Sequence, residues 1–329
     1  MRLSALALLN FASIREHKMK KFIFCLLSTL LLTSFAATIA TAEDDDFSVS
    51  AKAAVVMDAE TGKVIISRNM DMKLQPASTT KVMTAIVAME RTKPTDVFRV
   101  SKFASLMSPS KVYLRPGDEV TVEALLYSML LKSANDSAAA IAEGVAGTEP
   151  AFAKLMTDKA REIGALNSNF KNASGLPADD HYTTAYDLAL ILRYAMRSER
   201  FMTISSTKFA TLNMGEKERM LLKNHNKLLW FYDGAGAGKT GYTVAARHCY
   251  VGEAFCSNTR LIVAVLKSQD LWGDTKKLLD KGFELAMTGQ TLAMADTTND
   301  EPVIRKASYK VKKRVAHKRV HRKKRHRTY

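Results

Sequence analysis

Cysteine is scarce, with three in 329 residues, too few for a scaffold built on disulfides. Cys25 falls in an N-terminal apolar run, while Cys249 and Cys256 flank a strand-like run at 250–255. If that run is one straight strand, its seven steps set the two roughly 23 Å apart. A bridge tolerates only about 7 Å between Cα atoms, so both read as small buried hydrophobes. Histidine is sparse too, and no zinc-type His/Cys spacing occurs. After residue 42 no stretch is apolar enough to cross a bilayer, and no internal repeat is visible. Acidic residues are missing from 305–329, which carries 13 Lys or Arg. The net charge of +16 alone would suggest a nucleic-acid binder. Most of it sits in that tail, and residues 1–42 add five basic residues against one acid. The body of the chain is therefore near neutral, which argues against a nucleic-acid face.

Apolar residues make up 47% of the chain, enough to bury a sizeable core. Met19-Lys20-Lys21, the apolar run 22–35 and Ala40-Thr41-Ala42 before Glu43 form the charged start, apolar stretch and small-x-small site of a secretion signal. Residues 1–42 are thus expected to direct export to the periplasm or cell envelope, with Met19 an alternative start. Runs at 53–58 and 64–68, around Glu60-Thr61-Gly62-Lys63, predict a β-hairpin. Val82, Met83, Ile86, Val87 and Met89 predict a helix opened by Ser78 after Pro76-Ala77. Helical patterns follow at 120–131, 138–145, 151–166 and 184–196. Residues 250–255 and 261–266 predict strands, and 272–287 an amphipathic helix. This order predicts an α/β (α+β) domain over 43–290, with one antiparallel sheet formed from both chain ends, flanking helices and an inserted helical subdomain. Residues 291–329 read as a polar linker and basic tail that cannot pack a core.

Three short patterns carry chemistry. Ser78-Thr79-Thr80-Lys81 puts a lysine and a serine on one helix face. There the amine can take the hydroxyl proton if desolvation or nearby cations lower its pKa. A helix N-terminus also helps a developing oxyanion. About one such match is expected by chance in a chain this long, and Ser108…Lys111, Ser168…Lys171 and Ser205…Lys208 also fit. Ser108 and Ser168 lie in loop-like stretches, and Ser205 reads as following a helix. Only Ser78 opens a long apolar-faced helix, although a plain N-cap with a solvated Lys81 fits that position as well. In Ser133-Ala134-Asn135, a hydroxyl can relay a proton and an amide can hold a peptide carbonyl. Lys239-Thr240-Gly241 occurs once, and on a strand edge it can grip a carboxylate while glycine admits substrate to the backbone. Asp233 to Gly238 before it invites a P-loop reading, which needs glycine at 233 and a helix starting at the lysine. Residues 242–255 read instead as strand.

Ser-x-x-Lys, Ser-x-Asn and Lys-Thr-Gly, in that order, resemble the serine penicillin-binding proteins and β-lactamases. Gln75 to Lys81, Leu131 to Asp136, Asn172-Ala173-Ser174-Gly175-Leu176-Pro177 and the stretch 181–188 resemble the low-molecular-mass serine-type D-alanyl-D-alanine carboxypeptidases. The similarity runs over about 51–287. It implies their fold and a cell-wall hydrolase, blocked covalently by β-lactam antibiotics, that removes the terminal D-Ala from peptidoglycan stem peptides. By resemblance, Ser78 forms the acyl-enzyme, Lys81 is the base and Ser133 passes a proton to the leaving amine. Asn135 holds the substrate backbone, and Lys239, Thr240 and Gly241 form the edge that binds the terminal carboxylate. The backbone N–H groups of Ser78 and Tyr242 form the oxyanion hole. No cofactor or metal is implied. His181, His225 and His248 are the only histidines of the predicted domain, which favours Ser-Lys over Ser-His-Asp.

The resemblance has departures. No glutamate between Asn135 and Lys239 opens the Glu-x-x-x-Asn stretch of common β-lactamases, so a lasting penicilloyl adduct is expected rather than fast hydrolysis. Arg247 stands where relatives usually carry glycine. About forty residues after the last helix leave no room for the β-rich second domain of many relatives. Three functions stay open at this point: carboxypeptidase, an endopeptidase cutting cross-links, and a non-catalytic envelope-binding protein. The tail 305–329 is a poor membrane-inserting helix. It suits anionic envelope polymers or a membrane surface, or stays solvated.

Overall fold

The predicted hairpin forms with the expected bounds. Its strands are β1 (Ala53–Asp58) and β2 (Val64–Arg68), and Asp58 accepts from both Thr61 N and Thr61 Oγ1 at 2.6 Å to close the turn. This is seen in a computed structural model, which describes residues 47–214 and 217–294. The predicted secretion signal and basic tail lie outside the described residues. A 3₁₀ turn, Ala77–Thr80, leads into α1 (Lys81–Arg91). Next come β3 (Val97–Arg99), the one-turn α2 (Lys102–Ser105) and β4 (Glu119–Thr121). The helices α3 (Val122–Leu131), α4 (Asn135–Ala146), α5 (Glu149–Glu162), α6 (Ala185–Ala195) and α7 (Glu199–Ser206) follow. The ribbon β5 (Phe209–Met214) and β6 (Lys217–Lys223) precedes the short α8 (Leu228–Phe231). The long strands β7 (Ala235–Thr243), β8 (Arg247–Cys256) and β9 (Thr259–Ser268), then α9 (Leu271–Thr288) and β10 (Leu292–Ala293), end the described chain.

One six-stranded sheet runs in the order β10-β2-β1-β9-β8-β7, so the two ends of the chain meet where β1 pairs antiparallel with β9, Val55 opposite Ala264. Consecutive residues of β9 from Leu261 to Leu266 are all fully buried, which requires cover on both faces. Ala53, Val55 and Met57 point into the core shared with the helices. Val56 and Leu261 point the other way, against Gly282 of α9. α1 is the buried axle of the helical region, packed by α3, α4, α5 and α6. Thr121, Thr148, Thr184 and Ser198 cap α3, α5, α6 and α7, each accepting a backbone N–H in the first turn.

Several expectations need correction. The sheet is antiparallel except at one edge, where β10 pairs parallel with β2. β10, at Leu292–Ala293, lies just past the expected boundary at 290 and belongs to the sheet. The helix expected from 120 starts at Val122, since Val120 and Thr121 pair with β3. The helix expected from 138 starts at Asn135, and that expected from 151 starts at Glu149 behind its Thr148 cap. Residues 242–255 are not one strand: β7 ends at Thr243 and β8 begins at Arg247. The glycine-rich stretch before Lys239 is already β7, and no helix follows the lysine, which excludes the P-loop. Ser205 lies inside α7 rather than after a helix.

Asp274 ties these ends together. Its buried carboxylate, near the start of α9, accepts from Ser50 N at 2.8 Å, Ser50 Oγ at 2.7 Å and Ser268 Oγ at 2.6 Å. Asp274→Ala removes the acceptor shared by Ser50 N and the Ser50 and Ser268 hydroxyls and is expected to cost about 1–3 kcal/mol, read as a lower denaturant midpoint in equilibrium unfolding.

Candidate active site

The three motifs meet where the 3₁₀ turn before α1, the α3–α4 junction and strand β7 come together. In the turn, the Lys81 backbone N–H bonds to Ser78 O. Ser78 and Lys81 thus lie one 3₁₀ turn apart, with Lys81 the first residue of α1, so Ser78 precedes the α-helix rather than opening it as expected. Lys81 Nζ lies 2.9 Å from Ser78 Oγ, 2.7 Å from Asn135 Oδ1 and 2.5 Å from Ser174 O. Asn135 Nδ2 donates to Ser108 O at 2.8 Å, which fixes the amide with its oxygen toward the lysine. Lys239 Nζ donates to Ser133 Oγ at 3.0 Å and to Thr240 O at 2.7 Å. β7 is an edge strand, so one row of its backbone groups has no strand partner. A Cβ on Gly241 would sit 2.8 Å from Ser78 N. Only glycine lets β7 come this close, and that approach carries Thr240 and Tyr242 to the cleft.

The rival Ser-x-x-Lys matches have other duties. Ser205 Oγ donates to Gly238 O and accepts from Gly238 N, both at 3.1 Å, clamping β7 one residue before Lys239. Ser168 Oγ donates to Asp187 Oδ2 at 2.8 Å. Ser108 offers its carbonyl to Asn135.

A family model described as D-alanyl-D-alanine carboxypeptidase matches residues 37–270. The chain belongs to this family. It is 34% identical over 277 residues to the D-alanyl-D-alanine carboxypeptidase DacF of Bacillus subtilis, covering 80% of this chain and 71% of that protein. A solved D-alanyl-D-alanine carboxypeptidase from Mycobacterium tuberculosis superposes with a TM-score of 0.69 at 31% identity, over 73% of this chain and 93% of that one. Variants of a Streptomyces DD-transpeptidase superpose equally well, one at 30% identity over 73% of this chain and 100% of that one.

The electrostatics of the carboxypeptidase site follow from burial. Lys81 is fully buried and Lys239 is 1% exposed. Burial pushes Lys81 well below the ordinary 10.5, Lys239 pushes the same way, and Asp136 and Glu149 oppose them. Burial lowers Lys239 to about 7. Of the three neighbours of Lys81 Nζ, two oxygens can only accept and the third is a hydroxyl. As placed, Lys81 Nζ donates to all three and the Ser78 hydroxyl donates to Ser174 O at 3.4 Å. A neutral amine can keep the bonds to Asn135 and Ser174 and turn its lone pair to Ser78 Oγ.

Several residues here lay outside the three motifs, most of them in stretches that carried only the family resemblance. Ser174 O is held by the Asn172 side chain, which accepts from Ser174 N at 3.2 Å and Gly175 N at 2.7 Å. Gly175, at φ +81°, abuts Ala77 O, where any Cβ would collide. The Glu149 carboxylate receives Ala173 N at 3.0 Å. Asp136 accepts from Val112 N and Leu114 N at 3.1 Å each, fixing the loop that brings Ser108 to Asn135. His181 receives Lys171 N on Nδ1, so its proton sits on Nε2, 3.0 Å from Thr80 Oγ1. Burial, with Lys81 and Lys171, lowers its pKa to about 4. The Asn-Ala-Ser-Gly-Leu-Pro stretch carried only the resemblance, and the target of the Ser174 carbonyl was not legible in the sequence. Cys249 is buried and Cys256 exposed, both free. Arg247 adopts φ +55°, a left-handed backbone that glycine occupies without strain.

Among the described residues, no group of three or more His, Cys, Asp or Glu is placed to hold a metal ion. No described helix is long and apolar enough to cross a membrane.

Because the Lys239 charge disfavours protonated Lys81, Lys239→Gln is expected to raise the Lys81 pKa. NMR titration of isotope-labelled lysine side chains reads this directly, and a fall would contradict the Coulombic account.

Proposed function

We propose that the enzyme hydrolyses the D-Ala-D-Ala bond of peptidoglycan stem pentapeptides through a Ser78 acyl-enzyme. The observation that carries this reading is the 2.9 Å approach of a buried, low-pKa Lys81 to Ser78 Oγ. Neutral Lys81 takes the Ser78 proton as Oγ attacks the penultimate D-Ala carbonyl. The oxyanion meets the backbone N–H groups of Ser78 and Tyr242. Ser133, bonded to Lys239, delivers a proton to the leaving D-Ala nitrogen, and Lys239 and Thr240 hold its carboxylate. Asn135 keeps Lys81 aligned and binds the substrate backbone. Water then enters at the acyl carbon and releases the shortened peptide. A β-lactam follows the same first step, but its tethered leaving group stays near the ester.

The signal pattern at 1–42 supports export, placing the enzyme in the periplasm or cell envelope. The basic tail 305–329 is proposed to hold it at anionic envelope polymers or a membrane surface. Deleting the tail is then expected to release the enzyme from envelope fractions at low salt, and unchanged fractionation at low and high salt would contradict that role.

The mechanism is tested with residues 43–329, defined pentapeptides and mass spectrometry. Ser78→Ala is expected to abolish both D-Ala release and penicillin labelling, and Ser133→Ala to slow release about 10²–10⁴-fold. No product and no label from folded wild-type protein would favour a non-catalytic envelope-binding protein.

A further inference from the structure

Arg247 opens β8 in a conformation that its residue type disfavours. Its φ of +55° lies in the left-handed region, which a residue with a Cβ rarely adopts and glycine occupies freely. Backbone of this kind persists only where its surroundings hold it, and it concentrates at functional sites. The turn before β8 closes without the arginine side chain, through a bond from Ala246 N to Thr243 Oγ1 at 3.0 Å. Arg247 is exposed, and no carboxylate among the described residues pairs with its guanidinium.

Strand register ties this cation to the active site. Thr243 pairs with Arg247, Tyr242 with His248 and Gly241 with Cys249. Residues two apart on a strand share a face, as do residues paired directly across strands. Gly241, Thr243, Arg247 and Cys249 therefore belong to one face of the sheet. That face meets the nucleophile: a Cβ on Gly241 would lie 2.8 Å from Ser78 N, and Cys249 Sγ lies 3.8 Å from Gln75 O. Arg247 thus belongs to the Ser78 side of the sheet, opposite the residue that follows Tyr242.

The proposed mechanism sets the direction of the substrate along β7. The terminal carboxylate lies at Lys239 and Thr240, and the scissile carbonyl at the N–H of Tyr242. Earlier residues of the stem then run on toward Thr243. An edge strand takes an extended peptide along its free backbone row, and each residue advances about 3.3 Å. The residue before the two D-alanines, the third of the stem, comes level with Thr243 and the turn after it. Arg247 lies across from Thr243, about 5 Å away between Cα atoms. In peptidoglycan stems the third residue is a diamino acid, whose side chain ends in an amine alone or in an amine and a carboxylate. A guanidinium repels the first and can hold the second through paired N–H bonds.

We propose that Arg247 is a specificity-determining residue that binds the side-chain carboxylate of the third stem residue. It selects pentapeptides with a free carboxylate there over those in which that group is amidated or absent. The proposal rests on the Ser78 reading above. Arg247 makes and breaks no covalent bond. Its ion pair lies away from the reacting atoms and is the same in bound substrate and transition state, so it acts on KM more than on kcat.

The test measures kcat/KM for D-Ala release from three pentapeptides that differ only at the third residue: meso-diaminopimelate, its side-chain amide and lysine. Wild type is expected to prefer the free acid over the amide about fivefold at low salt, mainly through KM, and to lose part of that preference at high salt. Arg247→Gly, which the left-handed backbone accepts without strain, and Arg247→Gln are each expected to bring the two substrates within about 1.5-fold of each other. Arg247→Lys is expected to keep part of the preference. Fluorescent penicillin labelling of Ser78 in each variant reports that the site is intact. Equal wild-type values on acid and amide overturn the proposal. So does a glycine variant that keeps the preference, or one that loses equally on all three substrates, which would assign Arg247 to the terminal carboxylate or to the fold. Absence of both D-Ala release and labelling in folded wild type would instead overturn the Ser78 reading.

Discussion

Two lysines are buried side by side with no carboxylate among the described residues bonded to either, and the rest of the site depends on what that costs. Desolvation disfavours an ammonium strongly unless it is paired. The nearest carboxylates to Lys81, those of Asp136 and Glu149, act on it only as a weaker opposing field, and both spend hydrogen bonds on backbone N–H groups. The protein therefore lowers the lysine pKa instead of neutralising it with an ion pair. In the proposed mechanism such an amine, once neutral, is a base already in position, with two N–H bonds held by Asn135 and Ser174.

Keeping that arrangement requires strained backbone and close approaches. Ala77 and Ser133 both have positive φ, +49° and +60°, which costs residues with a Cβ of order 1–3 kcal/mol each. The surroundings hold them there. Gly175 presses on Ala77, Gly241 presses on Ser78 N, and Ser205 clamps β7 to α7. The sheet contributes an edge strand rigid enough to carry Lys239 and Thr240, and α1, buried on nearly every side, carries Lys81. Lys81 thus sits at the start of a helix buried from Lys81 to Ala88.

Much of this was legible in the sequence. The first hairpin and the sheet closed from both chain ends follow from local patterns and the order of elements, while the meeting of Ser78, Lys81, Ser133, Asn135 and Lys239 was implied by the family resemblance. What was not legible depends on tertiary contacts. Val120 and Thr121 look helical by apolar spacing, yet strand pairing with β3 claims them. Residues 235–238 look like a glycine loop, yet Glu253, Ser205 and Asn226 hold them as strand. The Ser174 carbonyl, which completes the lysine's coordination, is a backbone atom and leaves no residue-type signal. Ser205, a decoy by motif, became a clamp only once α7 and β7 were side by side.

The central claim is that Lys81 is neutral when Ser78 reacts, and the rate of Ser78 acylation by penicillin measured across pH tests it most directly. The account predicts a rate that rises through one titration well below the ordinary lysine value of 10.5, with acylation lost in a folded Lys81→Met variant. A profile that rises only near that ordinary value, or a Lys81→Met variant that still acylates at the wild-type rate, would contradict it.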